Sequence, residues 1–284
     1  MIDVPNEIAP HKEQLPFAGE EYRTEPKEVP FIARIFPTLF FYSRFIGITW
    51  RGGGKAKKGQ YDDAEWIKSS VEVLRALEQI GVRFEITGLD HLRQLDTPCV
   101  VIGNHMSILE TLILPGVIRS FQEVTFVIKS SLLEYPVFKH IMRSRDPVSV
   151  GRTNPREDLK VVLEGGVDRL KRGVSIIVFP QTTRADSFDP NQFNTIGIKL
   201  ANRAGVPVIP LALMTDAWGN GRYLKDFGKI DISKTIHFAF GEPIRIQGRG
   251  SNEHQLTINF INRKLDAWKD ERKKNNRDRY SATL

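Results

Sequence analysis

The chain of 284 residues has one cysteine, Cys99, so an internal disulfide framework is excluded, and no group of Cys and His has zinc spacing. A reducing compartment fits, and neither a structural metal nor a covalent staple is expected. The first thirty residues, charged and rich in proline, lack the apolar core of a secretory signal and read as a flexible leader. No uncharged run approaches the roughly 20 residues that a spanning helix requires. The longest aromatic stretch, FIARIFPTLFFYSRFIGITW at 31–50, is interrupted by Arg34 and Arg44. No Gly-x-Ser-x-Gly elbow occurs, which argues against a serine hydrolase. Internal repeats and composition shifts of the kind that mark linkers are also lacking.

What is present begins with charge. Lys and Arg number 41 against 34 Asp and Glu, a formal net charge of +7 that favours anionic partners. No recognition motif or basic–aromatic interleaving supports a nucleic acid among them. Residues 31–50 can lie at a membrane interface, with Phe36, Phe40, Phe41, Phe45 and Trp50 among acyl chains and Arg34, Arg44 and Arg51 reaching for phosphates. An amphipathic helix packed on the protein's own core fits the same pattern. RGGGKAKKGQ at 51–60 is expected to be a basic loop beside that segment.

From residue 62 onward, helix-period and strand-period segments alternate. The helical stretch 62–81, with Gly81 as its stop, is followed by the strands VRFEITG, PCVVIG, VTFVIK, VSV, VSIIVFP, VPVIPLAL and TIHFAFG. Helical patterns such as ILETLILPGVIRS, PREDLKVVLEGGVDRLKR and FNTIGIKLANRAG separate several of them. The expected fold class is therefore α/β, a mostly parallel central sheet flanked by helices, preceded by an N-terminal membrane-associating helical segment. The expected division is a flexible leader at 1–30, a membrane-interface segment and basic loop at 31–62, one α/β domain at 63–270, and a basic tail at 271–284.

In such sheets ligands gather at the carboxyl ends of strands, where three polar clusters fall. The first is Asn104-His105, four residues, then Glu110. A histidine there is suited to general-base work if a carboxylate holds its second ring nitrogen. On a regular helix positions five apart diverge by about 140°, so a contact between the two requires a distorted first turn. The second cluster is VSVGRTNPRED, in which Arg152 follows a short strand and Asn154-Pro155 opens a helix. A surface arginine beside a helix cap explains it equally. The third is VFPQTTRAD, where Gln181, Thr182, Thr183 and Arg184 follow an apolar strand and form either an anion cradle or a polar turn.

In this order, NHMSILE at 104–110, VSVGR at 148–152, FPQTTR at 179–184 and VPVIPLAL at 206–213 resemble the glycerolipid acyltransferase family typified by 1-acylglycerol-3-phosphate acyltransferase. The family pattern is Asn-His-x4-Asp, a strand ending in Arg, Phe-Pro-Glu-Gly-Thr-Arg and a Val-Pro-Val-x-Pro run, and the resemblance spans residues 30–245. It implies a fatty acyl transfer from acyl-CoA or acyl-ACP to the hydroxyl of a lysophospholipid, with no cofactor. His105 is the implied base and Glu110 its orienting carboxylate. Arg152, Thr183 and Arg184 are implied to bind the acceptor phosphate, and Gln181 and Thr182 to form the oxyanion or acceptor loop. The partners expected are membrane lipids and the acyl donor, with a peripheral or monotopic location on the cytoplasmic face of a membrane. Departures concern the acceptor. Glu110 replaces aspartate, as in related lipid A acyltransferases. Gln181-Thr182 replace Glu-Gly, while Asn194 and Ile196 stand where Phe-Lys-x-Gly places a lysine and a glycine. A different lysolipid, a non-phosphate acceptor or a catalytically silent lipid-binding relative remain the alternatives.

Overall fold

The computed structural model describes residues 16–136, 138–181, 183–222 and 224–281. Eight strands, β1 (Glu21–Arg23), β2 (Arg83–Thr87), β3 (Val100–Gly103), β4 (Val124–Lys129), β5 (Val148–Val150), β6 (Ser175–Val178), β7 (Val208–Met214) and β8 (Thr235–Phe240), form one sheet in the order β1-β2-β8-β7-β3-β6-β4-β5. The sheet is mixed. β1 runs antiparallel to β2 and β7 antiparallel to β8, whereas the remaining pairings are parallel. The helices are α1 (Phe31–Ile35), α2 (Pro37–Lys57), α3 (Asp63–Glu78), α4 (Leu89–Arg93), α5 (Leu109–Ile118), α6 (Lys139–Arg143), α7 (Pro155–Lys171), α8 (Ile196–Ala204) and α9 (Ser251–Ser281).

Alternation along the buried strands sends neighbouring side chains into two cores. Val101, Ile177, Ile209, Leu211 and Leu213 pack with residues of α2, α3 and α5 on one face. Val100, Ile102, Ile176, Val178, Val208 and Ala212 pack with α7, α8 and α9 on the other. Strands covered on both faces carry almost unbroken apolar runs, which is why CVVI, SIIV and VIPLALM lack a polar side.

Three expectations are corrected here. Residues 51–57 are not a loop: α2 continues through Arg51, the glycine run and Lys57, and the chain turns at Gly59, whose φ is 70°. Tertiary contacts override the low helix propensity of glycine. A Cβ at Gly52 would lie 3.2 Å from Ile141 Cδ1 and from the Tyr61 ring, so the missing side chain is what lets α2 approach α6 and the start of α3. Ion pairs Arg51–Glu72 at 2.8 Å and Lys55–Glu65 at 2.6 Å then fasten the basic stretch to α3. The second correction concerns the leader. Residues 1–15 lie outside the described residues, but Phe17 is buried, and β1 is held by Tyr22 and Thr24, which each donate to Glu78 Oε1 at 2.6 Å. The third concerns the basic end, expected to be a fraying helix and solvated tail: the helix is there, α9 running to Ser281, but it is tied to the domain, since Arg272 forks onto both oxygens of Asp216 at 2.7 and 2.9 Å. Residues 282–284 lie outside the described residues.

Candidate active site

At the end of β3 the chain does not enter a helix directly. His105, Met106 and Ser107 form a turn, and α5 begins only at Leu109, so Glu110 stands in the first helical turn and folds back beneath the turn that precedes it. This resolves the angular objection to the pair, because His105 is not helical. Glu110 is fully buried, and its carboxylate accepts from Met106 N at 2.8 Å, Ser107 N at 3.0 Å and the Thr215 hydroxyl at 2.7 Å. Burial alone pushes its carboxyl upward. The imidazole of His105, the Ser107 backbone and Thr215 outweigh that and hold it below its ordinary value. His105 Nδ1 is 3.6 Å from Glu110 Oε2, an ion-pair distance wider than a hydrogen bond, and Nδ1 has no hydrogen-bond partner.

The rest of the environment fixes His105 from three sides. Its ring stacks on Phe179 with centroids 4.4 Å apart and planes within 7°. Its backbone N–H donates to Gln181 Oε1 at 2.8 Å, and its carbonyl accepts from Ala185 N at 3.0 Å. The neighbouring Asn104 is almost fully buried and exchanges two 2.8 Å hydrogen bonds with the backbone of Leu213, clamping β3 to β7 beneath the turn. Gln181 thus acts on the backbone of His105, and Thr182 lies outside the described residues.

The other clusters converge on the same place. His105, Arg152, Thr183 and Arg184 all line one cavity of about 510 Å³. Its remaining wall is largely apolar and includes Phe45, Ile48, Trp66, Ile108, Leu112, Phe126 and Phe138 from α2, α3, α5, β4 and the turn before α6. Glu110 does not line it, being covered by the ring it faces. Arg152 has φ of 58°, a conformation costly for a side chain with a Cβ, and Asp158 at the start of α7 holds it by accepting from Gly151 N and Arg152 N at 3.1 and 3.2 Å. Asn154 caps α7 as expected, accepting from Arg156 N at 3.1 Å. Arg184 donates to Asp226 Oδ1 at 2.6 Å. Asn194, in the place where the family resemblance puts a lysine, donates to the Pro180 carbonyl and accepts from Ile196 N at 2.9 Å, so it serves the backbone ahead of α8.

Sequence reasoning missed Ser107, Thr215 and Asp226. Thr215 had a signal, being the first polar residue after the apolar β7 run, in line with the carboxyl end of β3. Asp226 had none.

A family model described as Acyltransferase matches residues 83–214, from the first residue of β2 to the last of β7. The chain is 29% identical over 206 residues to the 1-acyl-sn-glycerol-3-phosphate acyltransferase of Pseudomonas aeruginosa, covering 72% of this chain and 74% of that protein. It is 30% identical over 132 residues to the chloroplastic enzyme LPAT1 of Arabidopsis thaliana, covering 46% of this chain and 36% of that one. The crystal structure of the 1-acyl-sn-glycerophosphate acyltransferase PlsC from Thermotoga maritima superposes with a TM-score of 0.60 over 84% of this chain and 97% of that chain, at 22% identity, and so shares the fold. The segment matched by the Acyltransferase family model, residues 83–214, carries His105, Glu110, Arg152, Gln181, Thr183 and Arg184, which follow the carboxyl ends of β3, β5 and β6.

Proposed function

We propose that this protein transfers a fatty acyl group from a thioester donor, acyl-CoA or acyl-ACP, to the free hydroxyl of 1-acylglycerol-3-phosphate. The observation that carries the reading is the single cavity lined at once by the His105 ring, by the cations Arg152 and Arg184, and by an apolar wall suited to a hydrocarbon chain. The names of the curated relatives supply the acceptor.

Because Nδ1 faces Glu110, Nε2 is the nitrogen left for the acceptor. It takes the hydroxyl proton as the oxygen attacks the thioester carbonyl, and the tetrahedral intermediate collapses with loss of the thiolate, which recovers the proton from the imidazolium. No acyl-enzyme forms. Glu110 orients the ring and stabilises its cation, closing from 3.6 Å to hydrogen-bond distance as the charge develops. Backbone N–H groups of the turn at Gln181 would face the oxyanion, and Arg152, Thr183 and Arg184 would hold the acceptor phosphate.

Membrane association belongs to the same proposal. α1 and α2 expose Phe31, Ile32, Ile35, Phe36, Leu39, Ile46 and Trp50, an apolar surface beside the cavity-lining residues Phe45 and Ile48. The face is narrower than the aromatic content of 31–50 implies: Phe41 and Phe45 are buried against Trp218 at 4.8 and 5.2 Å. Among the described residues no helix is long and apolar enough to cross a membrane. The exposed apolar face is what supports assigning α1–α2 to a membrane interface, and the cytoplasmic side is part of the same proposal.

The test is transfer of labelled acyl groups from acyl-CoA and acyl-ACP to lysophosphatidic acid and other lysolipids, with His105→Ala alongside. Loss of transfer in the variant, by about 10²-fold or more, is expected. Near-normal turnover in His105→Ala would remove the histidine from the mechanism, and transfer only to another lysolipid would replace the acceptor.

A further inference from the structure

We infer that Asp226 determines the strength of acceptor recognition by competing with the acceptor's phosphate for Arg184, which rests on the reading of Arg184 as a phosphate-binding residue. Arg184 and Asp226 both line the cavity that His105 lines. Their contact, Nη2 to Oδ1 at 2.6 Å, is a charge-assisted hydrogen bond between side chains only 19% and 15% exposed. To a guanidinium, a carboxylate and a phosphate oxygen are the same kind of ligand. One edge of the arginine is therefore already occupied by an anion of the protein itself. The second edge is not: Arg184 Nη1 is buried without a hydrogen-bond partner. Because Nη1 is buried, a phosphate entering the cavity does not reach it while the arginine stays in place, and Nη2, the nitrogen that Asp226 holds, is the one over which the two anions compete.

The backbone around Asp226 is anchored. Its own carbonyl accepts from Trp218 Nε1 at 3.2 Å, and two residues later the Gly228 carbonyl accepts from the Tyr42 hydroxyl of α2 at 2.6 Å. On the far side of the loop Asn220 donates to the carbonyl of Met106 and to Asp186, each at 3.2 Å. Asp226 is thus presented to Arg184 by a segment tied to both the His105 turn and α2. Yielding to a phosphate requires its side chain to rotate while the backbone stays in place. The two anions cannot share Nη2, and at contact distance in a half-enclosed cavity they repel. The cost of moving Asp226 sets a threshold that an uncharged head group does not repay.

Competition and simple support of the arginine predict opposite signs. If Asp226 competes, Asp226→Asn leaves Arg184 with an uncompensated charge, and glycerol 3-phosphate binds about tenfold more tightly than to the wild-type chain. If Asp226 only orients Arg184, the same change weakens binding. Titration calorimetry of the full chain with glycerol 3-phosphate reads this directly, and Asp226→Ser, expected to move the same way, serves if the asparagine variant does not fold. The gain must disappear when Arg184→Gln is added, since it acts through that side chain. In the transfer assay, KM for lysophosphatidic acid is expected to fall by a similar factor while kcat changes much less. Weaker or unchanged glycerol 3-phosphate binding in the Asp226 variants, a gain that survives Arg184→Gln, or no binding by any of these proteins would overturn the inference. Binding of glycerol 3-phosphate with the predicted pattern, but no transfer to lysophosphatidic acid, would instead overturn the acceptor assignment and leave the role of Asp226 standing.

Discussion

Glu110 holds the turn that carries His105 and, on the proposed mechanism, serves the chemistry as well. It closes the turn at 105–107 by accepting from two backbone N–H groups and a hydroxyl, and it presents the remaining negative charge to His105. Glu110→Gln keeps the shape and much of the hydrogen bonding but removes the charge, so transfer is expected to fall by about 10²–10⁴-fold with the fold retained. Glu110→Ala in addition strands Met106 N, Ser107 N and Thr215 in the interior, and a loss of about 3 kcal/mol in urea unfolding is expected. The pH dependence has a definite sign. Because the folded carboxyl is held below its ordinary value, its contribution is complete above about pH 4.3 and is lost as pH falls through the folded value. Unfolding midpoints of wild type and Glu110→Gln measured from pH 7 to pH 3 should therefore converge in acid. A constant gap across that range would contradict the assignment of the lowered group.

At the scale of elements, close approach between α3 and α5 places the two walls of the cavity. It depends on Gly116, where an added Cβ would lie 2.6 Å from Ser70 Cβ. That neighbour is bonded to the backbone of α3 and cannot swing aside, unlike the Leu200 methyl groups that a Cβ at Gly166 would meet. Gly116→Val is expected to push the helices apart at a cost of about 1–3 kcal/mol, readable as a lowered urea midpoint. The glycine run of α2 teaches the same lesson in reverse. Read locally, RGGGKAKKGQ breaks a helix; packed beside α6 and α3, Gly52 is what allows the helix to continue. Local propensity carries no information about a partner that arrives from ninety residues away in the chain. β1 was illegible for a similar reason. Glu21, Tyr22 and Arg23 become a strand because the edge of β2 and the carboxylate of Glu78 are there to receive them.

Across the whole molecule, the exposed apolar face of α1–α2 lies beside the cavity-lining residues Phe45 and Ile48, and the proposed membrane association rests on that face. Leu39 and Trp50 are 71% and 82% exposed, so replacing both by serine should leave thermal stability unchanged. Binding to anionic phospholipid vesicles, followed by co-sedimentation, should weaken by about tenfold or more, since each side chain contributes on the order of 1–2 kcal/mol of apolar transfer. Unchanged sedimentation would detach the face from the membrane. The alternation of strands and helices from residue 62 onward and the covering of the sheet by helices on its faces were legible in the sequence by itself, and the resemblance carried by four ordered motifs implied that His105, Glu110, Arg152, Thr183 and Arg184 belong to one site. Alternating periodicity and four ordered motifs are local properties, each written within a few neighbouring residues. Only the tertiary structure decided that Glu110 reaches His105 through a non-helical turn, that Gln181 holds a backbone N–H, and that Asp226 sits on Arg184. These contacts join residues whose separation in the chain reaches several tens of positions, and the closing of the sheet, which brings those positions together, is a property of no single segment.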